Sequence, residues 1–172
     1  EKNHMRYCLL FVLFAFLIAC KETKTLTIPN EEGLQSINGT ELYCKVIGEG
    51  SPILFIHGGP GLSHDYFLPQ LEDLAKEYTL IFYDHRASGR SSANLDSSGI
   101  SLDLFLADIE EIRKIYGIEQ LNLLGHSWGG LLAMYYELEY PDHLSKLILS
   151  NSTPASASMQ GQDAMKNAEK RT

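Results

Sequence analysis

The chain has 172 residues, 44% of them hydrophobic and 21% charged, enough for one globular domain with an apolar core. Fourteen Lys and Arg against 22 Asp and Glu give a formal net charge of −8. No basic cluster offers a phosphate footprint, so nucleic acid is not an expected partner, and acidity alone names no substrate.

Residues 8–20, CLLFVLFAFLIAC, form an uncharged apolar run. As a helix it would span about 20 Å, short of the roughly 30 Å hydrocarbon core of a bilayer. It has the length of a signal-peptide apolar region, with Arg6 as the positive charge before it. Met5 is the expected start, and residues 1–4 are expected to lie upstream of it. Leu17-Ile18-Ala19-Cys20 resembles the lipobox of bacterial lipoproteins. That resemblance implies cleavage before Cys20, lipidation of Cys20 and anchoring at the bacterial cell envelope. Simple secretion and an uncleaved anchor are the alternatives. On this reading residues 1–19 are a signal peptide and 20–32 a polar tether. Cys44 is then left without a disulfide partner, and its strand-like surroundings predict a small buried hydrophobe.

Residues 33–154 are read as the core of the domain. Asn38-Gly39 is a two-residue hairpin signal, with Leu42, Cys44 and Val46 alternating beyond it. PILFIHGG (52–59) reads as a strand buried on both faces. Residues 65–77 show a helical period, with Ser63 or Asp65 as the cap. TLIFYDHR (79–86) is a second buried strand, and residues 88–99 are loop. Residues 101–116 are a helix with Leu102, Phe105, Leu106, Ile109, Ile112 and Ile115 on one face, ended by Gly117. LNLLGHS is a third strand, 128–140 a third helix stopped by Pro141, and LSKLILS (144–150) a fourth parallel strand. A hairpin followed by strand–helix repeats predicts an α/β fold with a mostly parallel sheet and helices on both faces.

GHSWGG (125–130) satisfies G-x-S-x-G at a strand–helix junction, which points to Ser127 as a nucleophile. The glycines let neighbouring elements approach a sharply turned serine, and the helix N-terminus favours developing negative charge. HGGPG (57–61) follows the first parallel strand. Acyl transfer creates an oxyanion that backbone N–H groups must meet. The expected donors are Trp128, next after the nucleophile, and Gly59 in the glycine loop.

These segments carry a resemblance. HGGPG with SHDYF just after it, YDHRASGRS (83–91) and LLGHSWGG (123–130) resemble the α/β-hydrolase fold, and within it the proline iminopeptidase group of serine peptidases. The second segment departs from the group's usual DQRG-x-GRS, with His85 for glutamine and Ala87 for glycine. The resemblance implies removal of an N-terminal residue, often proline, from a small peptide through an acyl-enzyme on Ser127, without a cofactor. Esterase or lactonase activity on another small acyl substrate is the first alternative. A non-catalytic lipoprotein interaction module is the second.

The triad order of this fold is serine, acid, histidine. After Ser127 the only histidine is His143, in YPDHLSKL, where a surface residue is expected. His57, His64, His85 and His126 lie upstream of the serine. Their spacing fits loop packing better than metal ligation, so no metal is expected. The acid and the histidine are therefore expected beyond Thr172. Residues 155–172 read as the start of a cap, and the 172 residues alone are expected to be nearly inactive.

Overall fold

A computed structural model describes residues 26–91 and 99–154. The signal-peptide-like run with Cys20, the first six residues of the expected tether, and the expected start of the cap at 155–172 lie outside the described residues.

Six strands form one sheet: β1 (Glu31–Ile37), β2 (Thr40–Ile47), β3 (Ser51–Ile56), β4 (Tyr78–Tyr83), β5 (Leu121–His126) and β6 (Leu144–Ser150). Their spatial order is β1-β2-β4-β3-β5-β6. β1 pairs antiparallel with β2, and β2 antiparallel with β4. The β3–β4, β3–β5 and β5–β6 pairs are parallel. The β1–β2 turn is the expected one: Asn38 and Gly39 have φ of 45° and 76°, as a two-residue hairpin with the twist of its strands requires. β1 begins at Glu31, inside the stretch expected as tether, and Ile28 before it is buried in the core.

Two α-helices are described, α1 (Leu102–Ile115) and α2 (Trp128–Glu139). Ser101 caps α1 by accepting from Leu104 N, and Gly117, at φ 64°, ends it. Phe105, Leu106, Ile109 and Ile112 of α1 and Leu132, Ala133 and Tyr136 of α2 join Leu54, Ile56, Ile81, Tyr83 and Leu123 of the sheet in the larger core cluster. Cys44 is buried in the same cluster as an unpaired thiol, and burial pushes its pKa up to about 12. A smaller cluster of Phe55, Phe67, Leu80 and Phe82 is separate from it.

The segment predicted as a helix over 65–77 packs on that smaller cluster in another form. It is two short 3-10 turns, His64–Phe67 and Glu72–Lys76. Pro69 is the reason. Proline forces the preceding residue out of the helical region, and Leu68 has φ −93° and ψ 148°. Ser63 is the cap, accepting from Asp65 N.

Candidate active site

β3, β4 and β5 run parallel, so the loops that leave them emerge at one end of the sheet. The loop after β5 is a sharp turn at Ser127. Its φ of 54° and ψ of −120° are unusual for a residue with a side chain, and such strain persists only where its surroundings enforce it. They do so here. Ser127 N donates to Ser150 O at 3.0 Å, and Ser127 O accepts from Gly130 N and Thr153 N at 3.0 and 2.9 Å.

The neighbouring glycines are required by close approach. A Cβ on Gly125 would lie 2.5 Å from Gly129 O, and one on Gly129 would lie 2.2 Å from Ile56 O. Both obstacles are backbone, so the turn admits no side chain at either position. A Cβ on Gly58 would stand 3.0 Å from the Ser127 Cβ, which puts the HGGPG loop directly against the elbow.

That loop is pinned by side chains on both sides of Gly58. Gly58 N donates to the Tyr66 hydroxyl at 2.6 Å, and His57 O accepts from His85 Nε2 at 3.0 Å. His57 Nε2 accepts from His85 N at 3.0 Å, so its proton sits on Nδ1 and is donated to Gly58 O at 2.6 Å. Burial holds the His57 pKa below its ordinary 6.5, and burial with the nearby His57 pushes His85 down to about 3. Both rings are therefore neutral at physiological pH. Because Gly58 N–H is engaged, the loop's open amide is at Gly59, whose φ is 122°. Among the described residues neither Gly59 N–H nor Trp128 N–H, the first of α2, donates a hydrogen bond.

The other histidines divide as follows. His64, fully buried, donates from Nδ1 to Asp84 Oδ1 at 2.7 Å. His126 lies beside Ser127, with Nδ1 2.8 Å from the Tyr66 hydroxyl. His143 is the surface residue expected, partly exposed, with Nδ1 3.1 Å from Glu110 Oε2 and its ring stacked on Tyr140. Among the described residues no group of three or more His, Cys, Asp or Glu side chains could hold a metal ion. No helix among them is long and apolar enough to cross a membrane.

The YDHRASGRS segment holds the fold, and it meets the elbow through His85. Arg86 pairs bidentately with Asp108 of α1 at 2.8 and 2.7 Å, and both side chains are buried. Asp84 accepts from His64 N, His64 Nδ1 and Arg90 N. Burial pushes its pKa up, but these bonds outweigh it and hold the carboxylate below its ordinary range. Ala87 occupies φ 55°, the left-handed conformation that glycine adopts without strain. His85 is fully buried, in edge contact with Trp128 and Phe105.

The model of the alpha/beta hydrolase fold matches residues 51–170, more than half of the chain. The chain belongs to this family. Within the α/β-hydrolase family it is 41% identical over 133 residues to a proline iminopeptidase of Saccharolobus solfataricus, covering 74% of this chain and 43% of that one. It is 38% identical over 131 residues to a proline iminopeptidase of Lactobacillus delbrueckii subsp. bulgaricus, covering 72% and 44%. Among solved structures, a proline iminopeptidase-related protein from Thermus thermophilus superposes with a TM-score of 0.65 at 28% identity, over 71% of this chain and 44% of that one. An epoxide hydrolase of Vigna radiata superposes with a TM-score of 0.63 at 25% identity, over 70% and 39%. The chain thus spans less than half the length of the curated relatives it matches.

Sequence reasoning alone did not find Tyr66 as a partner of this α/β-hydrolase elbow. SHDYF was visible beside HGGPG, but the pairing of Tyr66 with His126 spans 60 residues and depends on the sheet order.

Proposed function

We propose that the protein is a serine hydrolase of the proline iminopeptidase type, releasing an N-terminal residue from small peptides. Ser127 Oγ attacks the carbonyl carbon of that residue. The carbonyl oxygen becomes an oxyanion that accepts from Gly59 N–H and Trp128 N–H. The proton lost by the Ser127 hydroxyl in the attack is taken up by the triad histidine. Collapse breaks the carbon–nitrogen bond as that histidine passes the proton to the leaving amine. Water, giving a proton to the same histidine, then hydrolyses the ester on Ser127.

One observation carries this reading: a serine held at φ 54° between two strands and a helix, with Gly58 of the HGGPG loop against it. The apex residue favours this chemistry over that of an aspartate-nucleophile relative. His143 is engaged by Glu110, and the upstream histidines stand in the wrong chain order to be the base. An acid and a histidine beyond Thr172 complete the triad in this proposal, and residues 1–172 alone turn over poorly. The same proposal anchors the protein to the bacterial envelope through a lipid on Cys20.

A fluorophosphonate probe on the full-length protein tests the nucleophile. Labelling that disappears in Ser127→Ala is expected; labelling that persists in the variant overturns the assignment. A panel of prolyl and non-prolyl aminoacyl amides, short esters and lactones tests the substrate. Hydrolysis of esters or lactones with no release of an N-terminal residue would replace the peptidase by an esterase or lactonase. Cys20→Ser is expected to release the protein from membranes.

A further inference from the structure

Two elements build the proposed oxyanion site, the HGGPG loop after β3 and the elbow after β5. Their adjacency is close but not covalent. One side chain from a third segment hydrogen-bonds to both. Tyr66, in the 3-10 turn at His64–Phe67, has its hydroxyl 2.6 Å from Gly58 N and 2.8 Å from His126 Nδ1. Gly58 N–H can only donate, so the phenol oxygen accepts there and its own proton points to His126 Nδ1. Burial pushes the Tyr66 pKa up, against the opposing Gly58 N–H, so the hydroxyl keeps that proton. A chain of hydrogen bonds runs from loop to elbow: Gly58 N–H to Tyr66 O–H to His126 Nδ1.

We propose that Tyr66 is a positioning residue for the oxyanion site, orienting the Gly58 amide and so the direction in which Gly59 N–H faces Ser127. This rests on the serine-hydrolase reading above and extends it to a residue outside both motifs. The geometry allows Tyr66 to do this in two ways. It fixes the peptide plane between His57 and Gly58 from the N–H side, while His85 Nε2 fixes it from the carbonyl side. It also engages Gly58 N–H, which would otherwise compete with Gly59 for the oxyanion. Glycine at 58 has no side-chain restraint of its own, so these external bonds set its conformation. Preorganised donors are effective because they need no rearrangement when charge develops.

The Tyr66 ring is 39% exposed and packs on Phe67, so Tyr66→Phe keeps the ring and removes only the hydroxyl. Steady-state kinetics on the full-length protein, with the fastest substrate of the panel, are the test. We expect kcat to fall about ten- to a hundred-fold, below the roughly 10²–10³ that removing an oxyanion donor outright costs, with KM nearly unchanged. We expect His126→Leu to give a similar loss, and the double variant to be little worse than either single one. The melting temperature of Tyr66→Phe is measured alongside, so that a folding defect is separated from a catalytic one. Unchanged kcat in Tyr66→Phe overturns the proposal. So does a rise in KM at constant kcat, which would make Tyr66 a substrate contact. Multiplied losses in the double variant would overturn the chain of bonds. Wild-type labelling of Ser127 by the fluorophosphonate keeps these outcomes separate from failure of the serine-hydrolase reading itself.

Discussion

The loops after β3 and β4 leave adjacent parallel strands at the same end of the sheet, and both read as motifs, yet they do different work. In residues 84–91 the polar groups are turned inward, apart from the exposed Arg90 side chain. Asp84 accepts three N–H bonds, Arg86 grips Asp108, and Ser91 Oγ donates to Asp84 O while accepting from Tyr43 N. In residues 57–61 the first two residues are pinned, with Gly58 against Ser127, and the Gly59 amide has no hydrogen-bond partner among the described residues. A loop whose polar groups satisfy one another builds the fold. A loop that is rigid and still presents a free donor can act on a ligand. The comparison predicts that changes in the first loop lower stability, and changes in the second or at the elbow lower turnover.

The largest effect belongs to the elbow. Ser127→Ala should reduce kcat by about 10⁶, as when a serine nucleophile is removed, while the melting temperature changes little. Turnover assays and a thermal melt on the full-length protein decide it. A large fall in melting temperature instead would make Ser127 a structural turn residue and erase the contrast.

Next comes the buried pair in the other loop. Arg86→Ala leaves the Asp108 carboxylate in the interior with Asn38 as its remaining side-chain partner among the described residues. Breaking such a pair costs roughly 3–5 kcal/mol of stability. Denaturant titration should show that loss. The kcat of the molecules that remain folded should be close to wild type. A selective loss of kcat would mean that this loop also serves the reaction.

The acid limb of the stability profile gives a finer test, because His85 belongs to the first loop and touches the glycine loop. Its native pKa is about 3 against an ordinary 6.5. Between those values the unfolded chain binds a proton that the native protein refuses, so stability is full above pH about 6.5 and declines as pH falls toward about 3. Glu110 adds a lower window. Burial alone would push its pKa up, but hydrogen bonds from Arg113 and Tyr136 and the Arg113 charge hold it at about 2, below an ordinary 4.5. Its contribution is complete above pH about 4.5 and is lost between there and about 2. Urea titrations across pH should show His85→Gln making the upper window shallower, the remainder belonging to His57, whose pKa burial also lowers, and leaving the lower one. An unchanged upper window would show that His85 is not the group titrating there.

The legible part of this molecule was local. Asn38-Gly39 announced its hairpin, the buried runs announced β3, β4 and β5, and the glycines around Ser127 announced the elbow, because each follows from steric rules within a few residues. Fold class and family were recoverable from these alone. What failed locally was 65–77, where helical periodicity outweighed Pro69 in the reading and the proline won in the structure. What could not be read were pairings across the chain. The insertion of β4 between β2 and β3, the contact of Tyr66 with His126 and the burial of His85 against Trp128 depend on how distant segments meet. The positions of Gly59 and Trp128 followed from motif logic. That Gly58 is engaged by Tyr66, leaving Gly59 as the open amide, needed the three-dimensional arrangement.

The smallest effect expected sits at the β1–β2 turn. Gly39 has φ 76° with nothing within 4 Å of the place where a Cβ would go, whereas Gly129, at the elbow, faces backbone 2.2 Å away. Gly39→Ala therefore meets only the conformational cost of an L-residue in the left-handed region, about 1–2 kcal/mol, and no collision. Gly129→Ala cannot be accommodated without moving the backbone of β3 or α2. Denaturant titrations of the two variants should differ accordingly: a modest shift of the midpoint for Gly39→Ala with wild-type turnover, and a much larger loss for Gly129→Ala. Equal losses would mean that conformational preference alone, rather than close approach between β3 and α2, explains the glycines of the elbow.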